Sequence, residues 1–237
     1  MNFFDRLQTE TAPQRAELLA NPLIDRCIAG NTSLAEYVAY LCQAYHHVKH
    51  TTPLLMATGA RLPESHEWLR SAVAEYIEEE EGHQEWILND IVACGFDRGG
   101  ARLTQPTVAT EIMIAYAYDL VQRVNPVAFF GMVHVLEGTS ITAADRAAEG
   151  VQRALNLPDQ AFSYLRSHGA LDQQHVQFFE SLMNRIEDRK EQELIIHAAQ
   201  VFYQLFDNVL RSVDARQVAQ LPVSNTDWAN QETFNAA

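Results

Sequence analysis

The spacing of apolar residues along the chain is helical nearly from end to end. Phe3 to about Leu19 reads as an amphipathic helix with Pro13 as its weak point, and "NPLIDRCIAGN" as a short helix closed by Gly30. Ser33 is a good N-cap with Glu36 three residues on, so a helix should open there and run through "YVAYLCQAYHHVKH" towards Ala60. "LPES" restarts the chain, and one long helix is expected over about Glu64 to Ala93, closed by "CGFDRGG". Thr107 to Val124 forms the next. Asn125 and Pro126, an N-cap and a proline at the first helical position, open a helix to about Ala154. Asp159 to Glu187 and Arg189 to Val213 complete the set, and "LPVSNTDWANQETFNAA" reads as a polar tail. No strand, repeat or Pro/Gly/Ser-rich linker stands out. The pattern predicts an all-α, single-domain bundle of about seven helices over residues 1–215, followed by a C-terminal tail over 216–237.

Composition leaves that reading in place and narrows the function. The 237 residues are enough to bury a sizeable core, and 47% hydrophobic with 20% charged residues is ordinary for a globular protein. The net charge of -14 argues against nucleic acid, which needs Lys and Arg against its phosphates, and against an anionic membrane surface. No apolar run is long enough to span a bilayer, and "MNFFDRLQTETAPQ" lacks the basic and apolar regions of a signal peptide. Cys27, Cys42 and Cys94 are far apart and form no CxxC, which suits a reducing cytoplasm.

Three segments carry candidate chemistry. In "IEEEEGHQEW", Glu80 and His83 are three residues apart, a spacing that puts both on one face of a helix and that is used in di-iron bundles. Glu79 is an alternative to Glu80, and Glu78 and Glu81 are expected to be solvated, since a helix cannot aim four consecutive side chains inward. In "FFGMVHVLEG", Glu137 sits in an otherwise apolar run, where a lone carboxylate is costly unless paired or bound to a metal; a structural contact to Arg or Tyr is the plainer alternative. In "SHGALDQQHVQFF", His168, Asp172 and His175 recur on one helical stripe. Together these give three histidines and three carboxylates from three helices, a mixed N/O set suited to iron or manganese and too rich in carboxylate for structural zinc.

The segments "EEEEGHQEW", "GMVHVLEG" and "HGALDQQH", in this order, resemble the heme-oxygenase-like di-iron oxidases and oxygenases. That group is similar to the chlamydial protein associating with death domains and belongs with the TenA and PqqC proteins. The resemblance covers about residues 15 to 210. It implies a heme-oxygenase-like fold and a centre of two iron ions, held by Glu80, His83, Glu137, His168, Asp172 and His175, that activates O2. Glu137, His168 and Asp172 would be closest to the chemistry. The reaction would oxidise a small organic substrate (an amine, amino acid, fatty acid or aromatic precursor) with electrons from an unidentified donor. His47, His50, Phe130 and His134 are candidates for the substrate pocket, with His46 beside them. A homodimer is expected.

Four alternatives remain open. A TenA-like hydrolase of thiamine-related pyrimidines would use a cysteine on the helix that here carries Glu137, and all three cysteines lie before residue 95. A PqqC-like cofactorless oxidase does not need this carboxylate set. A non-catalytic interaction protein on the same scaffold would tolerate loss of the ligands. Haem held by a single histidine would leave the carboxylates unexplained.

Overall fold

In a computed structural model, residues 1–222 are described, apart from the side chains of 141 and 167–175. Twelve α-helices are present among the described residues, where the periodicity predicts about seven. They are α1 (Phe3–Glu10), α2 (Ala12–Leu19), α3 (Pro22–Ala29), α4 (Leu34–Val48), α5 (Thr51–Arg61), α6 (Glu67–Glu80), α7 (His83–Ala93), α8 (Arg98–Leu103), α9 (Val108–Asp119), α10 (Phe129–Leu155), α11 (Ser163–Met183) and α12 (Arg189–Arg211). The fold class is as expected; three of the extra helices come from breaks within predicted ones, and α8 forms in the segment expected only to close the helix before it. Residues 3–19 divide at Thr11, two residues before Pro13. The stretch expected to run from Ser33 to Ala60 divides at Lys49–His50, because Pro53, in the first turn of α5, has no N–H to give the Lys49 carbonyl. The stretch expected over 64–93 divides at Glu81–Gly82, where Gly82 takes φ 93°.

Several termini form as the sequence signals. The Ser33 hydroxyl accepts from the Glu36 N–H at 3.2 Å and the Asn125 side-chain oxygen Oδ1 from the Val127 N–H at 3.0 Å, while Gly30 closes α3 at φ 73°.

The long helix α10 is the axis of the molecule. It packs on α3, α11 and α12, while α4 packs on α7, and α5 on α6. Its contact with α3 is backbone to backbone: a Cβ at Gly150 would lie 2.2 Å from the Cys27 carbonyl oxygen, so only glycine lets the helices approach this closely. Residues 215–218 form a 3-10 turn against α4, and the Pro222 carbonyl accepts from the Asp97 N–H at 2.9 Å. The described start of the polar segment thus lies against the bundle; residues beyond 222 lie outside the described residues. No single helix among the described residues is long and apolar enough to cross a membrane.

Candidate metal centre

The chain brings Glu80, from the last turn of α6, and Glu137, from the middle of α10, to one cavity of about 70 Å³. His47 of α4, Tyr76 of α6 and Tyr164 of α11 share its wall, with Phe129, Met132 and Leu136 as apolar neighbours. Glu80 and His83 do not share a helix, as their spacing suggests. Glu80 ends α6, His83 begins α7, and the left-handed turn at Gly82 folds one back on the other. Their side chains still meet: His83 Nδ1 and Glu80 Oε2 are 3.0 Å apart. His83 is 4% exposed, with its ring stacked obliquely on Trp86 at 4.1 Å between centroids. It does not line the cavity itself but holds Glu80, which does. Because Nδ1 faces the carboxylate, Nε2 is the nitrogen His83 would offer a cation. In the acidic run, Glu78 and Glu81 are exposed and Glu79 and Glu80 half-buried, as helical geometry requires.

The other predicted residues divide. His47 lines the cavity and meets Phe206 edge to face. His50 is turned to Tyr118, Nδ1 to hydroxyl 3.1 Å, and His46 donates from Nε2 to the Thr104 hydroxyl at 2.9 Å. Burial, with Lys49 close by, lowers the His46 pKa to about 4. Phe130 is fully buried in the core against Phe179. His134, three residues before Glu137, packs instead among Thr11, Phe179 and Tyr203. The Thr11 hydroxyl donates to the Leu7 carbonyl, so it accepts from His134 Nε2, 3.3 Å away. Burial, helped by Arg15, lowers the His134 pKa to about 3, so the ring is neutral. The side chains of His168, Asp172 and His175 lie outside the described residues; their positions fall on α11, which Tyr164 ties to the cavity wall.

Two functional candidates have no place in the sequence reading. Tyr76 is 3% exposed, and its hydroxyl has no hydrogen-bond partner among the described residues. Burial, then Glu137, Glu79 and Glu80, raise its pKa and keep the phenol protonated. Its signal is position, one turn before Glu80 on the same face. Asp90, fully buried on α7, caps the start of α11. Its Oδ1 accepts from the Ser163 N–H at 3.0 Å and from the Ser163 hydroxyl, and its Oδ2 from the Tyr164 N–H at 2.9 Å. Its signal is that of Glu137: a lone acid in an apolar run, here "WILNDIV".

Residues 38–207 match a family of iron-containing redox enzymes. The chain belongs to that family. A comparison with curated proteins finds no match. Among solved structures, a domain of unknown function with a heme oxygenase-like fold from Shewanella denitrificans superposes with a TM-score of 0.80 at 24% identity, covering 89% of this chain and 91% of that one. A TenA homologue from P. horikoshii OT3 gives 0.75 at 10% identity, covering 92% and 100%. The heme oxygenase from Leptospira interrogans gives 0.70 at 15% identity, covering 89% and 98%. At these identities the likeness shows the fold, which is heme-oxygenase-like. Against the family's description, the described donors can be judged for iron. Glu80, Glu137 and the His47 imidazole face one cavity beside the buried Tyr76 phenol, which has no hydrogen-bond partner among the described residues, an N/O set that iron accepts. Among the described residues no three His, Cys, Asp or Glu stand close enough to enclose a metal on their own.

Proposed function

We propose that the protein is a non-haem di-iron oxidase or oxygenase that uses O2 to oxidise a small organic substrate. The observation that carries this reading is the convergence of Glu80 and Glu137 from separate helices on one buried cavity, in a family of iron-containing redox enzymes. Glu80, His83, Glu137, His168, Asp172 and His175 would hold two iron ions, with manganese the nearest substitute. Iron there supplies the redox chemistry with O2.

The chain supplies the rest. Glu80 and Glu137 offset the charge of the cations, and Glu80 fixes the His83 ring through Nδ1. Phe129, Met132 and Leu136 limit water at the cavity wall. Tyr76 offers a protonated hydroxyl to whatever enters. Asp90 sets the start of α11, on which three of the six proposed ligands lie. Cys27 lines the adjoining cavity rather than this one, and burial raises its thiol pKa and keeps it protonated, which disfavours a thiol-dependent hydrolase.

Asp172→Asn tests the reading. It keeps the side-chain volume and removes one negative charge. It is expected to fold as the parent does and to bind Fe(II) at least ~10-fold more weakly in anaerobic titration, since a direct ligand should matter no less than the outer partners whose loss costs that much. Unchanged iron stoichiometry and O2 uptake in this variant would leave the metal reading without support.

A further inference from the structure

A second cavity adjoins the first. It measures about 90 Å³ and shares Leu136, Ser140 and Tyr164 with the carboxylate cavity. Its remaining wall is almost wholly apolar. Ala143, Ala144 and Ala147 line it from α10, Cys27 from α3, Tyr40 from α4 and Phe206 from α12. The alanines matter because they sit where larger side chains would fill the space: a well-packed interior leaves few voids, and a void costs contact energy. The Cys27 thiol and the Tyr40 phenol at its edge are both held protonated by burial, so neither brings charge. The two cavities together give a polar end, with Glu80, Glu137 and the Tyr76 hydroxyl, which has no hydrogen-bond partner among the described residues, and an apolar end beyond Tyr164.

We propose that the two cavities are one binding site, for a small molecule with a hydroxyl or neutral amine at one end and a short aliphatic arm at the other. The polar atom accepts from the Tyr76 hydroxyl and can donate to a carboxylate oxygen of Glu80 or Glu137. A group that only accepts, such as a carboxylate, meets those two acids unfavourably. The arm passes between Leu136, Ser140 and Tyr164 into the alanine-lined chamber. A cavity of ~150 Å³ holds benzene, so this smaller chamber suits an arm of roughly three to five carbons and excludes a ring or a long chain. The inference names the substrate class of the site proposed above and rests on that reading for the chemistry, but not for the binding.

The test is a ladder of straight-chain primary alcohols, from two to ten carbons, titrated into the full-length protein by calorimetry. Thermal shift serves as a second readout. Titrations are made metal-free and again after anaerobic Fe(II) loading. Affinity is expected to rise about four-fold per methylene up to about five carbons and then level or fall. Tyr76→Phe should weaken every alcohol by up to ~10-fold without moving the optimum, the effect of one neutral hydrogen bond. Ala144→Leu should shorten the optimum by one or two carbons, and Ala143→Leu serves if that variant does not fold. The matching carboxylic acids should bind more weakly than the alcohols to the metal-free protein. Affinity that climbs steadily to ten carbons and ignores both alanine substitutions would show surface adsorption and overturn the proposal, as would absence of saturable binding. If the ladder holds but iron does not bind, the metal reading falls and this site stands; if iron binds and the ladder fails, the reverse is true.

Discussion

Asp90 keeps a carboxyl group away from water with three donors around it. Burial pushes its pKa up to about 6, against the opposing pull of Ser163 and Tyr164. A group raised in the folded state contributes stability that is full below its unfolded value, near 3.8, and lost as pH rises through about 6. Asp90→Asn removes that loss as well as part of the cap. The variant should therefore gain stability between pH 4 and pH 7, relative to the parent over the same interval, by on the order of 2 kcal/mol. Denaturant titrations of both proteins at the two pH values check this. Equal pH dependence would mean that the three hydrogen bonds hold Asp90 ionised throughout. A single acid in an apolar run demands a partner, which makes Glu137 a candidate from sequence, and the structure puts it on a cavity wall. Asp90 carries the same signal in "WILNDIV", but its partners at 163 and 164 are more than seventy residues away, so the sequence does not name them. His134 fails the other way. It is a pocket candidate by resemblance, but its ring meets Thr11, on the chain between α1 and α2, a contact no local pattern encodes.

Between α6 and α7, Glu81 and Gly82 do what one continuous helix could not. An unbroken helix would keep Glu80 and His83 on one rigid face; the break lets α7 leave in its own direction while the pair stays in contact. Gly82 stands at φ 93° with nothing within 4 Å of where a Cβ would be, so a substitution there strains backbone alone. Gly82→Ala is expected to cost about 1–2 kcal/mol in chemical denaturation and to weaken Fe(II) binding by displacing His83 from Glu80. Full Fe(II) affinity in a destabilised Gly82→Ala protein would separate this turn from the proposed centre. The helical period was readable along most of the chain, and so were the caps at Gly30, Ser33 and Asn125. The breaks were less so. Pro53 signalled the division of α4 from α5, but three residues downstream of where it falls, and the glycine between two candidate ligands was outweighed by their spacing.

Over the whole molecule, α10 sets the arrangement. It carries Glu137, supplies small residues to the apolar chamber, and touches α3 backbone to backbone at Gly150. Helices α4, α6, α10 and α11 each bring a side chain to the carboxylate cavity, and Asp90 couples α7 to the start of α11. All-α class and single-domain character follow from periodicity and sparse glycine and proline; which faces meet depends on contacts between residues far apart in the chain, such as Asp90 with Tyr164. The central claim is that these helices together hold two iron ions. Anaerobic titration with ⁵⁷Fe(II), followed by Mössbauer spectroscopy of the parent and of Glu137→Gln, tests it most directly. Saturation at two high-spin Fe(II) per chain is expected in the parent, with a loss of at least one ion in the variant. Saturation below one ion per chain, or identical spectra and stoichiometry for both proteins, would contradict it.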